Sequence, residues 1–145
     1  MKFELLTLAG KKYDGEIAEV SLRTVGGGLG VLPGHEPLTA MVVPGPVVVR
    51  GLDGSDEVFA TFGGLLEVTP ERARLLADEA DHADELVAVE VEAALARARV
   101  LRDEAKDSHE LAAAEALVDR AAVRLDVVRM RPRHRSERPT PESAE

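Results

Sequence analysis

The sequence predicts a mainly β protein with a helical annex. An antiparallel β-sandwich or barrel of many short strands is expected over residues 1–82, an antiparallel α-helical hairpin over 83–131 and a disordered tail over 132–145. Three observations carry this reading. Residues 2 to about 79 alternate apolar and polar positions and are broken every few residues by turn dipeptides, the pattern of many short strands. Glycine then disappears and alanine dominates, with apolar residues returning at spacings of three and four, as on one helix face. The chain closes on prolines and charges with no apolar repeat.

The strand region opens with Phe3, Leu5 and Thr7 alternating with Glu4, Leu6 and Leu8. Ile17, Val20 and Leu22 follow among Glu16, Glu19, Ser21 and Arg23, and then come Val47-Val48-Val49, Val58-Phe59-Ala60 and Leu65-Leu66-Glu67-Val68. Asp14-Gly15, Pro44-Gly45-Pro46, Asp53-Gly54 and Gly63-Gly64 punctuate them as turns. At Pro33-Gly34, proline pre-sets φ for the second position of a turn and glycine supplies the positive φ that a type II turn needs at the third. No helix-length pattern interrupts the series, which argues for a sandwich or barrel and against a parallel α/β sheet.

The composition changes across the acidic run from Asp78 to Glu85. Val87, Val91, Ala94, Ala98, Leu101 and Ala105 form one predicted helical stripe, and Leu111, Ala114, Val118, Ala121, Leu125 and Val128 a second. Lys106-Asp107-Ser108-His109 breaks the pattern between them; Asp107 is placed to cap the second helix, with Glu110 in the capping-box position. Asp84 is expected to cap the first helix. Such a short connection makes the helices antiparallel neighbours. Their seam is rich in alanine, which permits close approach but gives weak adhesion, so the hairpin is expected to hold marginally and to be able to leave its docking site.

Composition excludes several function classes. There is no cysteine, hence no disulfide and no thiolate metal site. The opening Met1-Lys2-Phe3-Glu4-Leu5 enters alternation at once, unlike a signal peptide, and no apolar run approaches the ~20 residues of a membrane span. Any membrane association is therefore expected to run through a partner, without direct insertion. A net charge of −9 argues against nucleic acid as a partner. The charge is unevenly spread, with the segment Arg120–Arg138 at +5 and the remainder at −14. A basic arm on an acidic body suits an acidic protein surface.

Candidate motifs are few. Gly26-Gly27-Gly28-Leu29-Gly30 lacks the helix N-terminus that a phosphate cradle requires and reads as a flexible loop between strands. His35 and Glu36 have no second histidine at ligand spacing; they read either as a turn-stabilising pair or as a partner contact. The acids from Asp78 to Glu85 lack the alternating ligands and central glycine of a calcium loop and read as a solvated junction. Arg120, Arg124 and Arg131 recur at spacings of four and seven, close to one helix face, which points to an acidic partner. No nucleophile–base or carboxylate pair stands out.

The run Gly28-Leu29-Gly30-Val31-Leu32-Pro33-Gly34-His35-Glu36-Pro37-Leu38 resembles the N-terminal signature of the epsilon subunit of bacterial F-type ATP synthases. Three more pieces match that family in order: Tyr13-Asp14-Gly15-Glu16, Phe62-Gly63-Gly64-Leu65-Leu66-Glu67-Val68 and Leu76-Ala77-Asp78-Glu79-Ala80. The resemblance covers residues 1 to about 130. It implies a non-catalytic subunit of the central stalk, peripheral at the cytoplasmic face of the membrane, coupling proton translocation through the c-ring to ATP synthesis. Its β-sandwich, of about ten strands, would pack on the gamma subunit and rest on the polar loops of the c-ring, with Gly28, Leu29, Pro33, Gly34, His35 and Glu36 in the contact. Its hairpin would fold down or extend into the catalytic alpha and beta subunits. There Arg120, Arg124 and Arg131 would meet an acidic segment and inhibit ATP hydrolysis.

Two positions depart from the family. Gly28 stands where many members carry an acidic residue. In the ATP-binding motif of some relatives, the aspartate is here Val87 and the arginine Glu90, within Leu86-Val87-Ala88-Val89-Glu90-Val91, so no ATP binding and no cofactor are expected. The alternative from another class is a stand-alone β-sandwich binding module whose helical hairpin drives oligomerisation.

Overall fold

A computed structural model of the chain describes residues 1–132. Nine strands precede a 3₁₀ turn, Ala83–Glu85, and two helices. The strands are β1 (Lys2–Thr7), β2 (Gly10–Thr24), β3 (Gly27–Val31), β4 (Leu38–Val42), β5 (Gly45–Gly51), β6 (Asp56–Thr61), β7 (Gly64–Val68), β8 (Arg72–Ala77) and β9 (Ala80–His82). They run in the order β1-β8-β7-β4-β2-β5-β6-β9, β3 pairing with β2 off that path and β1 pairing with β2 to close the layers on each other. The expected sandwich is present with nine strands rather than about ten. One β1–β8 pair is parallel within the otherwise antiparallel set.

β2 explains how two layers come from one ribbon. It is 15 residues long, and its register shifts between Ile17 and Glu19. Before that irregularity it pairs with β1, and after it with β5 and β3. A bulge bends a strand and increases its twist, which lets a single strand serve both layers. Between the layers lie Phe3, Leu5, Ile17, Val20, Val31, Val49, Phe59, Leu66 and Leu75, among others, nearly or fully buried. Each such side chain contributes about 1.5–3 kcal/mol by leaving water.

α1 (Ala88–Asp103) and α2 (Ser108–Arg129) form the predicted hairpin. Asp107 caps α2 as expected: its carboxylate accepts from the Glu110 N–H at 2.8 Å, while Glu110 accepts from the Lys106 N–H at 2.9 Å. The seam holds Val91, Leu95, Ala121 and Leu125, with Ala98 and Ala114 also buried. The first stripe needs correction. Val87 and Leu101 are each 52% exposed, and Leu95 is buried instead. At 3.6 residues per turn Leu101 lies roughly 80° away from Val91 around the helix, whereas Leu95 lies only about 40° away. Asp84 is not the cap of α1 either. The chain makes the 3₁₀ turn first, with the His82 ring nitrogen accepting from the Asp84 N–H, and α1 then starts beyond Val87 with no side-chain cap.

The glycine run is also placed differently. Gly27–Gly30 belongs to β3, hydrogen-bonded in register to β2, and the tip of that hairpin is Val25-Gly26. Of the tail expected over 132–145, residues 133–145 lie outside those described.

Candidate partner interface

Three surfaces gather the residues singled out above. The first is the turn after β3. His35 N–H donates to the Leu32 carbonyl at 3.2 Å and Gly34 has φ +81°, as a Pro-Gly type II turn requires. The Gly34 N–H donates to the Pro70 carbonyl at 3.0 Å, tying this turn to the β7–β8 connection. The His35 Nδ1 donates to the Glu36 carbonyl at 2.8 Å, since a carbonyl can only accept. The imidazole therefore serves the turn. Leu32, Pro33, Gly34 and Glu36 are exposed. Gly28 and Leu29 do not join them: they lie within β3, paired with Arg23 and Leu22, and Leu29 packs half-buried against the core. The six residues grouped in the sequence thus divide between the strand β3 and the turn that follows it.

The second surface went unseen in the sequence. Met41 pairs with Leu65, Leu65 with Leu76, and Leu76 with Leu6, so these four side chains form one row across β4, β7, β8 and β1. They lie on the outer face: Met41 is 66% and Leu76 40% exposed, and Leu65 and Leu6 are half-buried. Val25, 74% exposed, adjoins Met41 through a backbone hydrogen bond. The signal was available in the leucine doublets Leu5-Leu6, Leu65-Leu66 and Leu75-Leu76. Successive strand residues point to opposite faces, so one leucine of each doublet must face outward. Leu5, Leu66 and Leu75 took the core.

The third surface joins hairpin to sandwich. Arg124 donates through Nε to Asp81 and through Nη2 to Glu79, both at 3.0 Å, and Arg120 Nη2 donates to the other Glu79 oxygen. Both guanidinium groups stack on the Phe62 ring, 4.3 and 4.8 Å from its centre. One turn further along, Val127 is fully buried with Val58, Ala60, Phe62 and Ala83. Arg131 donates to the carbonyls of Ala83 and Leu86 and lies 3.8 Å from Asp84. The acidic run is therefore not merely solvated: Glu79 and Asp81 face arginines of α2, and Asp84 faces Arg131 just beyond the end of that helix. Val127 contributes about 1.5–3 kcal/mol to docking. Half-exposed ion pairs are worth about 0–1 kcal/mol each, so packing drives docking and the charges orient it. Sequence reasoning found Arg120, Arg124 and Arg131 but missed Phe62, Glu79 and Asp81, which no spacing rule links to residues some forty positions away.

Val87 and Glu90 are both exposed at the start of α1. Among the described residues, no cluster of three or more His, Asp or Glu is placed to hold a metal ion.

The molecule is thus a small β-sandwich with one apolar outer row, a tied polar turn and a docked helical hairpin. Residues 1–83 match the family described as ATP synthase, Delta/Epsilon chain, beta-sandwich domain, and the chain belongs to that family. It is 41% identical over 93 residues to the ATP synthase epsilon chain of Corynebacterium diphtheriae, covering 63% of this chain and 76% of that one. It is 38% identical over 92 residues to that of Streptomyces avermitilis, covering 63% and 74%, and 37% identical over 86 residues to that of Acinetobacter baylyi, covering 59% and 62%. The match thus spans about three fifths of the Acinetobacter chain's length. The fold is similar to a chain of the Euglena gracilis mitochondrial ATP synthase, in a cryo-EM structure of OSCP, F1 and c-ring, at TM-score 0.72 and 23% identity over 81% of this chain and 74% of that one. It is also similar to a chain in the Tetrahymena thermophila central stalk and c-ring structure, at TM-score 0.56 and 15% identity over 88% and 96%.

Proposed function

We propose that this chain is the foot of the central stalk of a rotary ATP synthase, coupling proton flow through the c-ring to ATP synthesis in the catalytic head. The observation that carries the reading is the row Met41–Leu65–Leu76–Leu6 on a sandwich of this family. A contiguous apolar patch on an otherwise acidic surface marks a protein interface, and the occupant it suits is the gamma shaft. The tied turn of Pro33, Gly34, His35 and Glu36 then rests on the polar loops of the c-ring, while Gly28 and Leu29 border the gamma side. A body that transmits torque must be stiff, and the closed, fully packed sandwich meets that need.

No described helix is long and apolar enough to cross a membrane. Attachment to the cytoplasmic face of the membrane belongs, in this reading, to the assembled complex. The chain is a subunit rather than a catalyst. Hydrolysis is inhibited when the hairpin extends and Arg120, Arg124 and Arg131 meet acidic residues of the head. ATP does not bind, because Val87 removes a polar contact and Glu90 repels phosphate; titration calorimetry revealing a sub-millimolar ATP site would overturn that clause.

Co-purification with gamma, with hydrolysis measured in the assembled enzyme, tests the whole. Leu65→Asp should weaken gamma binding at least tenfold, since it buries a charge in an apolar contact. Deletion from Asp84 onward should leave gamma binding intact and raise hydrolysis, and Arg120→Glu with Arg124→Glu should do so to a smaller degree. Self-association without gamma binding would instead support the stand-alone module.

A further inference from the structure

We propose that the outer face of α1 binds the same face of a second copy of this chain, in an antiparallel pair with two-fold symmetry. The contact lies apart from the apolar sheet row and from α2, so it stands independently of the function proposed above.

Val89, Ala93, Ala96 and Val100 recur at spacings of four, three and four. At 3.6 residues per turn they fall within roughly 60° of one another and make one stripe. Val91 and Leu95, which pack with Ala121 and Leu125 of α2, lie on the opposite side of the helix. Val89 is 74% and Val100 53% exposed, and both alanines are exposed. Beside the stripe, Ala96, Arg97, Val100 and Leu101 line a shallow apolar groove.

The charges that flank the stripe select the partner. Glu90 and Arg97 lie on one flank, seven residues apart, and Glu92 and Arg99 on the other with the same separation. All four are exposed, and none forms an ion pair among the described residues. Parallel pairing would set Glu90 beside Glu92 and Arg97 beside Arg99, which is repulsive on both sides. Antiparallel pairing about a point between Ala94 and Leu95 reverses this. It brings Glu90 within ~3 Å, along the axis, of Arg97 of the second copy, and Glu92 equally near its Arg99. The stripe obeys the same symmetry: Val89 of one copy meets Val100 of the other, and Ala93 meets Ala96.

A two-fold contact requires such a self-complementary patch, and flanking charges of this kind set helix orientation and partner choice. A surface shaped for an unrelated partner gains nothing from reading the same in reverse. The central alanines permit close approach of the two helices. Three helical turns bury less than the ~1,200 Å² of a lasting interface, so the pairing is weak and reversible. The net charge of −9 on each copy opposes it at long range.

Sedimentation velocity of the full chain between about 5 and about 500 µM should show concentration-dependent monomer–dimer exchange. E90R/E92R and R97E/R99E should each weaken pairing at least tenfold, because each makes both flanks repulsive. Mixed in equal amounts, the two variants should recover pairing as a heterodimer, since every flank contact then joins opposite charges. That recovery also shows that both remain folded. Leu65→Asp, on the sheet row, should pair like the unaltered chain, and both reversed variants should still co-purify with gamma. A monomer at every concentration, pairing untouched by the reversals, or no recovery on mixing would overturn the proposal. So would loss of pairing in Leu65→Asp, or loss of gamma binding in the reversed variants, since either would place the two contacts on one surface.

Discussion

Gly64 sits where two strands leave no room for a side chain. A Cβ there would lie 2.3 Å from the Leu76 carbonyl oxygen, and the residue holds φ at +152°. Gly64→Ala should therefore cost about 2–4 kcal/mol, combining a backbone clash with a disfavoured conformation. Gly45→Ala, where a Cβ would meet nothing within 4 Å, is the control and should be near neutral. Thermal unfolding of the two variants checks this; equal melting temperatures would refute it. The position of Gly63-Gly64 was legible as a turn. Its close approach to β8 was not, because Leu76 is twelve residues away and only the sheet brings it there. The same holds for Phe62, recognisable as part of a hairpin motif but not as the seat of two arginines.

At the scale of elements, local signals were read most faithfully where they act over a few residues. The cap of α2 is one such case: Asp107 and Glu110 satisfy N–H groups that would otherwise face water unpaired. Asp107→Ala should cost about 1 kcal/mol. The loss should appear as faster amide exchange in the first turns of α2, with the sandwich amides unchanged; uniform exchange across the chain would argue against a local cap. The start of α1 was misread because Asp84 looks like a cap in sequence, while β9 pairing at Ala80–His82 delays the helix by a 3₁₀ turn. Strand existence was plain from alternation, and the leucine doublets already encoded an apolar outer row. That β1 lies parallel to β8, however, follows from how the ribbon closes.

For the molecule as a whole, acidity supplies a test of what holds the sheets' outer edge. Glu4 is only 5% exposed, with Lys2 at 3.2 Å and Arg74 at 3.3 Å. The hydrogen bond from Lys2 holds its carboxyl below the ordinary 4.5, against the opposing effect of burial and with help from Arg74. A hydrogen bond from Lys11 likewise holds Asp14 below the ordinary 3.8. Because both pKa values are lower in the folded chain, the unfolded chain takes up protons first as pH falls. Their contribution is complete above the unfolded values and is lost as pH drops through the folded ones. Melting temperature should fall between about pH 5 and pH 3, and Glu4→Gln with Asp14→Asn should flatten that slope. An identical slope in the variant would show that other groups govern acid sensitivity.

Alternation, turn dipeptides, the alanine-rich repeat and the Asp107 cap were all decided within windows of a few residues, so the two-part architecture and its family signature could be read directly from the chain. Nothing within such a window says which distant strand lies alongside, so closure of the sandwich, the row from Met41 to Leu6 and the pairing of Glu79 and Asp81 with α2 emerged only on folding. Those features join residues between roughly ten and seventy positions apart, and their energy comes from apolar surface that becomes contiguous only when the layers close.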